Sequence, residues 1–311
     1  MEDEFFVSPS ATFCAVFDGH GGSKVSKFLK EKLHKRYVKD LRRGMVAKGE
    51  AEGGEVEKVD DEDLKPTKDT AISALSSAFA HTNDEVMKVS RWSHQGSTAV
   101  VCLFHEDPLT SKSTIVTANV GDSRAVLSRD GKAVDLTVDH KPNDKRERER
   151  IKSLGGKVSW FGYRDKRGRP IPGSGVYRIN GNLAVARAIG DKSESPFVSS
   201  LAEVLQLPSD PENDQFVVLA SDGLWDVMSS QEAVTFVHEM MRGGVGALPQ
   251  GGQRGQGTGT RPATLKISDW TTHHSDDRVI IRSALSKRKK FMAKFLVEEA
   301  MRRGSSDNTC V

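Results

Sequence analysis

Thr12-Phe13-Cys14-Ala15-Val16-Phe17 runs straight into Asp18-Gly19-His20-Gly21-Gly22, and Phe216-Val217-Val218-Leu219-Ala220 runs into Ser221-Asp222-Gly223. Short apolar runs bounded by turn residues read as buried strands. Each places an aspartate at the end of a rigid element, followed by a glycine that frees the backbone to turn sharply or approach a ligand. Two such carboxylates far apart in sequence point to a site for a hard divalent cation, which takes oxygen ligands. The competing reading is a pair of Asp-Gly turns that merely close hairpins. Spacing alone leaves both open.

Working outward, Val25, Phe28, Leu29, Leu33 and Tyr37 keep helical spacing, as do Ile72, Leu75, Phe79, Val86 and Val89. Residues 97–104 and 114–119 read as strands, and Arg129-Asp130-Gly131-Lys132 separates two more as a hairpin turn. Met292, Phe295, Leu296 and Ala300 predict a last helix stopped near Gly304. Strands in a run between helices, without regular βαβ alternation, predict an α+β fold with antiparallel pairing. Three stretches stand apart. Residues 50–63 hold eight acidic residues and two Val, so 46–66 is expected to be a disordered acidic loop. Residues 141–152 are dense in charge and read as a solvated helix face rather than a nucleic-acid contact. Residues 243–259 hold eight glycines, so 243–286 is expected to be a flexible insert; it lacks the Gly-Lys-Ser/Thr of a phosphate loop.

The chain has 311 residues, enough for one large domain, and 46 basic against 43 acidic residues, a net charge of +3 that argues neither nucleic-acid nor membrane attraction. Cys14 and Cys102 lie in apolar runs and Cys310 lies near the end. Buried reduced thiols are expected, and with them an intracellular location, cytoplasmic or nuclear. Lys287-Arg288-Lys289-Lys290 is readable as a nuclear signal or, more simply, as a solvated helix start. No run reaches the about 18 apolar residues of a membrane span.

Further marks follow in order: Glu2-Asp3; Gly96-Ser97-Thr98-Ala99; Gly121-Asp122-Ser123-Arg124; Asp139-His140-Lys141-Pro142; Ala186-Arg187-Ala188-Ile189-Gly190-Asp191; Ser221-Asp222-Gly223-Leu224-Trp225-Asp226; and Ser306-Asp307-Asn308. Together with the Asp18 loop they resemble the metal-dependent serine/threonine protein phosphatases of type 2C. The resemblance spans the chain apart from the acidic loop and the Gly-rich insert. It implies a single catalytic domain over 1–311, with two antiparallel sheets in a sandwich flanked by helices. It also implies two Mn²⁺ or Mg²⁺ ions, and a weaker third, in a cleft at one end. Asp18 would bridge the pair and the Gly19 carbonyl would bind one ion. Asp222 and Asp307 would hold the first ion and Glu2 the second; Asp3 would orient water from behind, and Asp122 and Asp226 would lie near the third.

The implied reaction is hydrolysis of phosphoserine and phosphothreonine in proteins by water bridging the two ions, which stand about 3.5–4 Å apart in such centres. His20, beside Asp18, would protonate the departing alkoxide as general acid. Arg187 and Asp191 are expected to pair within the core or brace a loop. Residues 145–180, rich in Arg, Lys, Gly and Pro, occupy the place of a flap suited to phosphopeptides. The implied partners are phosphoproteins, met by a monomer.

The chain departs from the pattern at its ends. The family carries a strand and a phosphate-holding arginine before the Glu-Asp pair and an apolar strand after Asp-Asn; here the sequence starts at Met1 and stops at Val311. It therefore reads as truncated at both ends, with Glu2 and Asp307 on fraying termini. The alternative function is an inactive pseudophosphatase that binds phosphoproteins or kinases. A phosphatase acting on small phosphoesters is a third class.

Overall fold

In the computed structural model, which describes residues 1–50, 52–61, 63–241 and 285–311, the alternation along the first apolar run decides the layering. Strand β2 (Phe13–Phe17) turns Phe13, Ala15 and Phe17 to one face and Val16 to the other. It sits in a five-stranded antiparallel sheet of order β1-β2-β5-β6-β12, with β1 Glu4–Val7, β5 Ala99–Glu106, β6 Ser113–Val120 and β12 Glu203–Pro208. The Phe13 face packs on α1 (Lys24–Ala47) and α3 (Lys68–Met87) through Leu29, Leu33, Leu75 and Phe79, all fully buried. Each such side chain stabilises by about 1.5–3 kcal/mol, so tertiary packing holds these helices.

The Val16 face meets a second sheet, β13-β7-β8, through Val100, Cys102, Ile115, Ala125 and Leu127. Its strands are β7 Arg124–Arg129, β8 Lys132–Asp135 and β13 Asp214–Ala220. Asp130 and Gly131, both at positive φ, close the expected hairpin. The outer face of this sheet packs on α6 (Ser230–Met241) and α7 (Met292–Arg302), with Gly304 just past the latter at positive φ. The order is helix, sheet, sheet, helix: the sandwich that the sequence implied.

Three short strands form a ladder at one end of the sandwich, β11-β4-β3, with β3 Gly19–His20, β4 Gly96–Ser97 and β11 Ile189–Gly190. Residues 97–104 are therefore one strand interrupted at Thr98. The 145–180 stretch is helix α4 (Lys145–Ser153), capped by Asp144, followed by a separate two-stranded ribbon, β9 Val158–Arg164 and β10 Pro170–Ile179.

Several expectations meet a different outcome. Helix α1 continues ten residues past Tyr37, to Ala47. Beyond it the acidic stretch carries a short helix, α2 (Gly53–Val56), with Val56 buried. Arg42 ties it down, donating to the carbonyls of Val56 and Val59 and to Asp61. The charge-dense 141–152 stretch is not wholly solvated: Glu147 is buried and holds Arg187 at 2.6 Å and Arg150 at 2.8 Å. Arg288 is buried and donates to the Met240 carbonyl, which breaks the basic run 287–290 as a continuous exposed signal. The Gly-rich insert lies outside the described residues apart from its last two. All three cysteines are free, and among the described residues no helix is long and apolar enough to cross a membrane.

Candidate active site

The end of β2 is clamped before it reaches the site. The Asp18 N–H donates to Thr98 Oγ1 at 3.2 Å, and the Thr98 N–H donates to the Asp18 carbonyl at 2.8 Å. Thr98 Oγ1 lies 2.7 Å from Ser123 Oγ. The Gly96–Ala99 and Gly121–Arg124 motifs thus fix the Asp18 backbone. From the second sheet, β13 delivers Ser221, and Asp222 opens helix α5 (Asp222–Trp225). Ser221 Oγ donates to Asp3 Oδ2 at 2.8 Å, and the Cys310 N–H donates to Ser221 Oγ at 3.0 Å. β1 pairs Glu4 opposite Phe17, which lays Glu2 and Asp3 beside Asp18. The Glu2 carbonyl accepts from Ser26 Oγ over Gly19. Glu2 and Asp307, expected on fraying ends, are flanked by these tethers.

Electrostatics mark the cluster. Burial first, and then the charges of Asp222, Asp3, Asp122 and Asp307, push the Asp18 carboxyl up to about 10. Burial, Asp122, Asp226 and Asp307 push Asp222 up to about 7, with Lys141 opposing. Asp3 and Asp122 are also raised, burial being the main cause in each. Asp3 Oδ1, Asp122 Oδ1 and Asp222 Oδ1 are buried and have no hydrogen-bond partner. Buried carboxylates without partners are costly, and like charges raise one another's pKa. The donor set is all oxygen and short of positive charge, which fits a hard divalent cation. Among the described residues no group of three or more His, Cys, Asp or Glu side chains is arranged to hold an ion as it stands. The match is therefore one of donor chemistry and charge.

His20 sits on β3 opposite Gly96 of β4. Its Nε2 lies 2.7 Å from Asp191 Oδ2, and since a carboxylate only accepts, the ring N–H donates. Burial opposes a charged imidazole, but the Asp191 hydrogen bond and the charges of Asp191, Asp122 and Glu2 hold its pKa above the usual value. Gly96 makes room for the pair, because a Cβ there would land on the Asp191 carboxylate. Gly96→Ala is expected to push Asp191 off His20 and destabilise the chain by about 1–3 kcal/mol. Thermal melting checks this; an unchanged midpoint would mean that Asp191 has room to move.

The Asp139-His140-Lys141-Pro142 motif resolves into three tasks. Asp139 takes Arg124 in a two-point pair at 2.7 and 2.9 Å. His140 Nδ1 accepts from the Gly121 N–H at 3.2 Å, so its Nε2 carries the hydrogen and donates to Glu203 at 2.9 Å. Lys141 Nζ stands 3.4 Å from Asp122 and 3.3 Å from Asp226, between the two residues expected near a third ion. Asp226 is the more exposed of the two, and Asp307 is exposed, accepting from its own neighbour Asn308; its charge still reaches Asp3, Asp18 and Asp222. Arg187 and Asp191 do not pair with each other: Arg187 holds Glu147 and the Leu201 carbonyl, and Asp191 holds His20. Sequence reasoning missed Asp191, Ser221 and Lys141 as members of the site. Their place inside quoted motifs was the only signal.

With this geometry in hand, comparison with known proteins is informative. The family model described as protein phosphatase 2C matches residues 7–246, a span that leaves out Glu2, Asp3 and Asp307. The probable protein phosphatase 2C 69 of Arabidopsis thaliana is 36% identical over 72% of this chain and 52% of its own length. Protein phosphatase 2C 50 of Oryza sativa subsp. japonica is 39% identical over 70% of this chain and 52% of its own. The chain thus spans about half the length of the curated relatives it matches. A solved structure of a C. elegans sex determining protein aligns with a TM-score of 0.66 at 22% identity, over 99% of this chain and 59% of that one. A Toxoplasma gondii phosphatase aligns at 0.59 and 20%, over 99% and 86%. At such identities the solved structures speak to the fold, while the family match and the relatives above 30% speak to descent. The chain belongs to the protein phosphatase 2C family.

Proposed function

We propose that this chain hydrolyses phosphoserine and phosphothreonine in proteins. Asp18, the Gly19 carbonyl, Asp222, Asp307 and Glu2 would hold two Mn²⁺ or Mg²⁺ ions, with Asp3 behind them. Asp122 and Asp226 would flank a weaker third. The observation that carries this reading is the set of buried, partnerless carboxylate oxygens on Asp3, Asp122 and Asp222 around an Asp18 forced up to about 10. When bound, such ions make water nucleophilic near neutrality and offset charge on the phosphoryl oxygens.

The remaining tasks belong to the chain. Thr98 and Ser123 fix Asp18, and Ser221 fixes Asp3. Asp191 takes Nε2 of His20, leaving Nδ1 as the nitrogen that serves the leaving serine or threonine oxygen. Against the opposing effect of burial, Asp191 also stabilises the charged imidazole and so favours the protonated ring. The basic ribbon and α4 would face the phosphopeptide.

Turnover of a phosphothreonine peptide tests the reading directly. Activity is expected only with added Mn²⁺ or Mg²⁺ and is expected to vanish with chelator. Turnover that persists in metal-free protein would overturn the metal assignment. Peptide binding with metal present but without turnover would make the chain a pseudophosphatase.

A further inference from the structure

We propose that the outward arc of α1 is a docking track for acidic residues flanking the phosphorylated residue of a protein substrate; this rests on the phosphatase reading above. Helix α1 carries nine Lys and Arg. Those that lean toward neighbouring elements are paired: Lys30 with Glu4 at 2.6 Å, Arg36 with Glu85, and Arg42 with Asp61 at 2.8 Å. Of the other six, all exposed and none with a side-chain ion pair or hydrogen bond among the described residues, Lys27 lies apart and Lys24, Lys32, Lys35, Lys39 and Arg43 share one face. At 3.6 residues per turn these five fall within an arc of about 100°, in a strip roughly 28 Å long. Glu31 borders that arc, about 20° outside it, and Asp40 is turned inward against His81.

Three observations separate this strip from an ordinary solvated face. Lys35, Lys39 and Arg43 follow one another at i,i+4, where like charges repel and weaken the helix, whereas a face serving only solubility would mix signs. The helix starts at the site, since its first turn holds the Glu2 carbonyl through Ser26, on the face opposite the strip, and follows His20 by a few residues. At the far end, Arg42 already grips a carboxylate of an acidic stretch, Asp61. An extended peptide anchored by its phosphate at the site would lay residues roughly four to eight positions away along Lys32 to Arg43. Charge complementarity selects an acidic flank.

The test compares two phosphothreonine peptides on the full chain with Mn²⁺, one carrying glutamates four to eight residues from the phosphate and one carrying glutamines there, in versions flanked on either side. The native chain is expected to show about a tenfold lower KM for the acidic peptide in dilute salt, with kcat unchanged. That ratio is expected to collapse at high salt. In Lys32→Gln/Lys35→Gln/Lys39→Gln the ratio of the two KM values is expected to fall to within about twofold, with the melting temperature unchanged or slightly raised. Equal KM values in the native chain, or a ratio the triple variant retains, would overturn the track. So would displacement of the acidic peptide by a duplex oligonucleotide at equal charge, which would mark an unselective polyanion surface. Fluorescence anisotropy of the same peptides needs no turnover. If the native chain binds the acidic peptide more tightly than the triple variant does yet hydrolyses neither peptide, the phosphatase reading fails and the track stands. If both are hydrolysed with equal efficiency, the track fails and the phosphatase reading stands.

Discussion

His20→Ala is expected to slow hydrolysis of phosphoserine and phosphothreonine peptides by about 10²–10⁴-fold while barely changing the rate on an aryl phosphate. The asymmetry comes from the leaving groups. A serine or threonine alkoxide is a strong base and needs a proton as it departs, whereas a phenolate leaves unaided. The local structure suits a donor: Asp191, itself 2% exposed, binds one ring nitrogen at 2.7 Å and stabilises the charged ring. Asp191→Asn should reproduce a smaller version of the same asymmetry, because the ring stays in place and the stabilising charge is gone. Parallel kinetics on the two substrate types decide the matter. Equal losses on both would make His20 a structural residue of the β3–β4 ladder, and an intact peptide rate would remove it from the reaction.

Asp18→Asn is expected to cost at least about 10²-fold in metal-dependent turnover and, at the same time, to stabilise the metal-free protein. The two effects have one cause. Asp18 is surrounded by Asp222, Asp3, Asp122 and Asp307, and its carboxyl is held up at about 10 from an ordinary 3.8. Between those values the folded chain keeps a proton that the unfolded chain has lost, so stability falls as pH rises. With one proton at stake the slope approaches about 1.4 kcal/mol per pH unit. The window from about pH 7 to 8 suits the test, with Asp222, pushed up to about 7, adding to the slope only at its lower edge. His105 and His140, whose pKa values burial lowers, act below about 6.5, and the buried thiols act above about 8.5. His20 slopes the same way as Asp18, so the diagnostic is the part that asparagine removes. Melting curves with chelator should shift down by several degrees across this window in the native chain and by less in the variant. Added Mn²⁺ should flatten the native slope, since the bound ion holds Asp18 ionised. A native melting point that is flat with pH in chelator, or a variant that melts lower than the native chain, would contradict the charge-cluster account.

Much of the architecture was legible because it rests on local periods. The buried strand over 13–17 and the turn residues at Asp130-Gly131 appear in the structure where expected. So do the helical spacing from Val25 and the stop at Gly304. The aspartates at the two strand ends, Asp18 and Asp222, were legible for the same reason: a run of buried apolar residues must end somewhere, and what ends it shows in one dimension.

Charge partnerships were not legible. His20 meets Asp191 across 171 positions and Ser221 meets Asp3 across 218. Lys141 finds Asp122 and Asp226 from a different loop than either. Glu147, one charge among many in a polar helix, is the one buried under Arg187. Periodicity in a sequence reports which face is removed from water, and the hydrophobic effect enforcing it is non-directional. A hydrogen bond or ion pair depends on distances of a few tenths of an ångström between atoms that only the packed sheets bring together. The sequence by itself therefore determined the layers and the strand-end carboxylates. The tertiary structure alone decided which carboxylate holds the histidine, which lysine sits between the acids, and which oxygens are left without a partner.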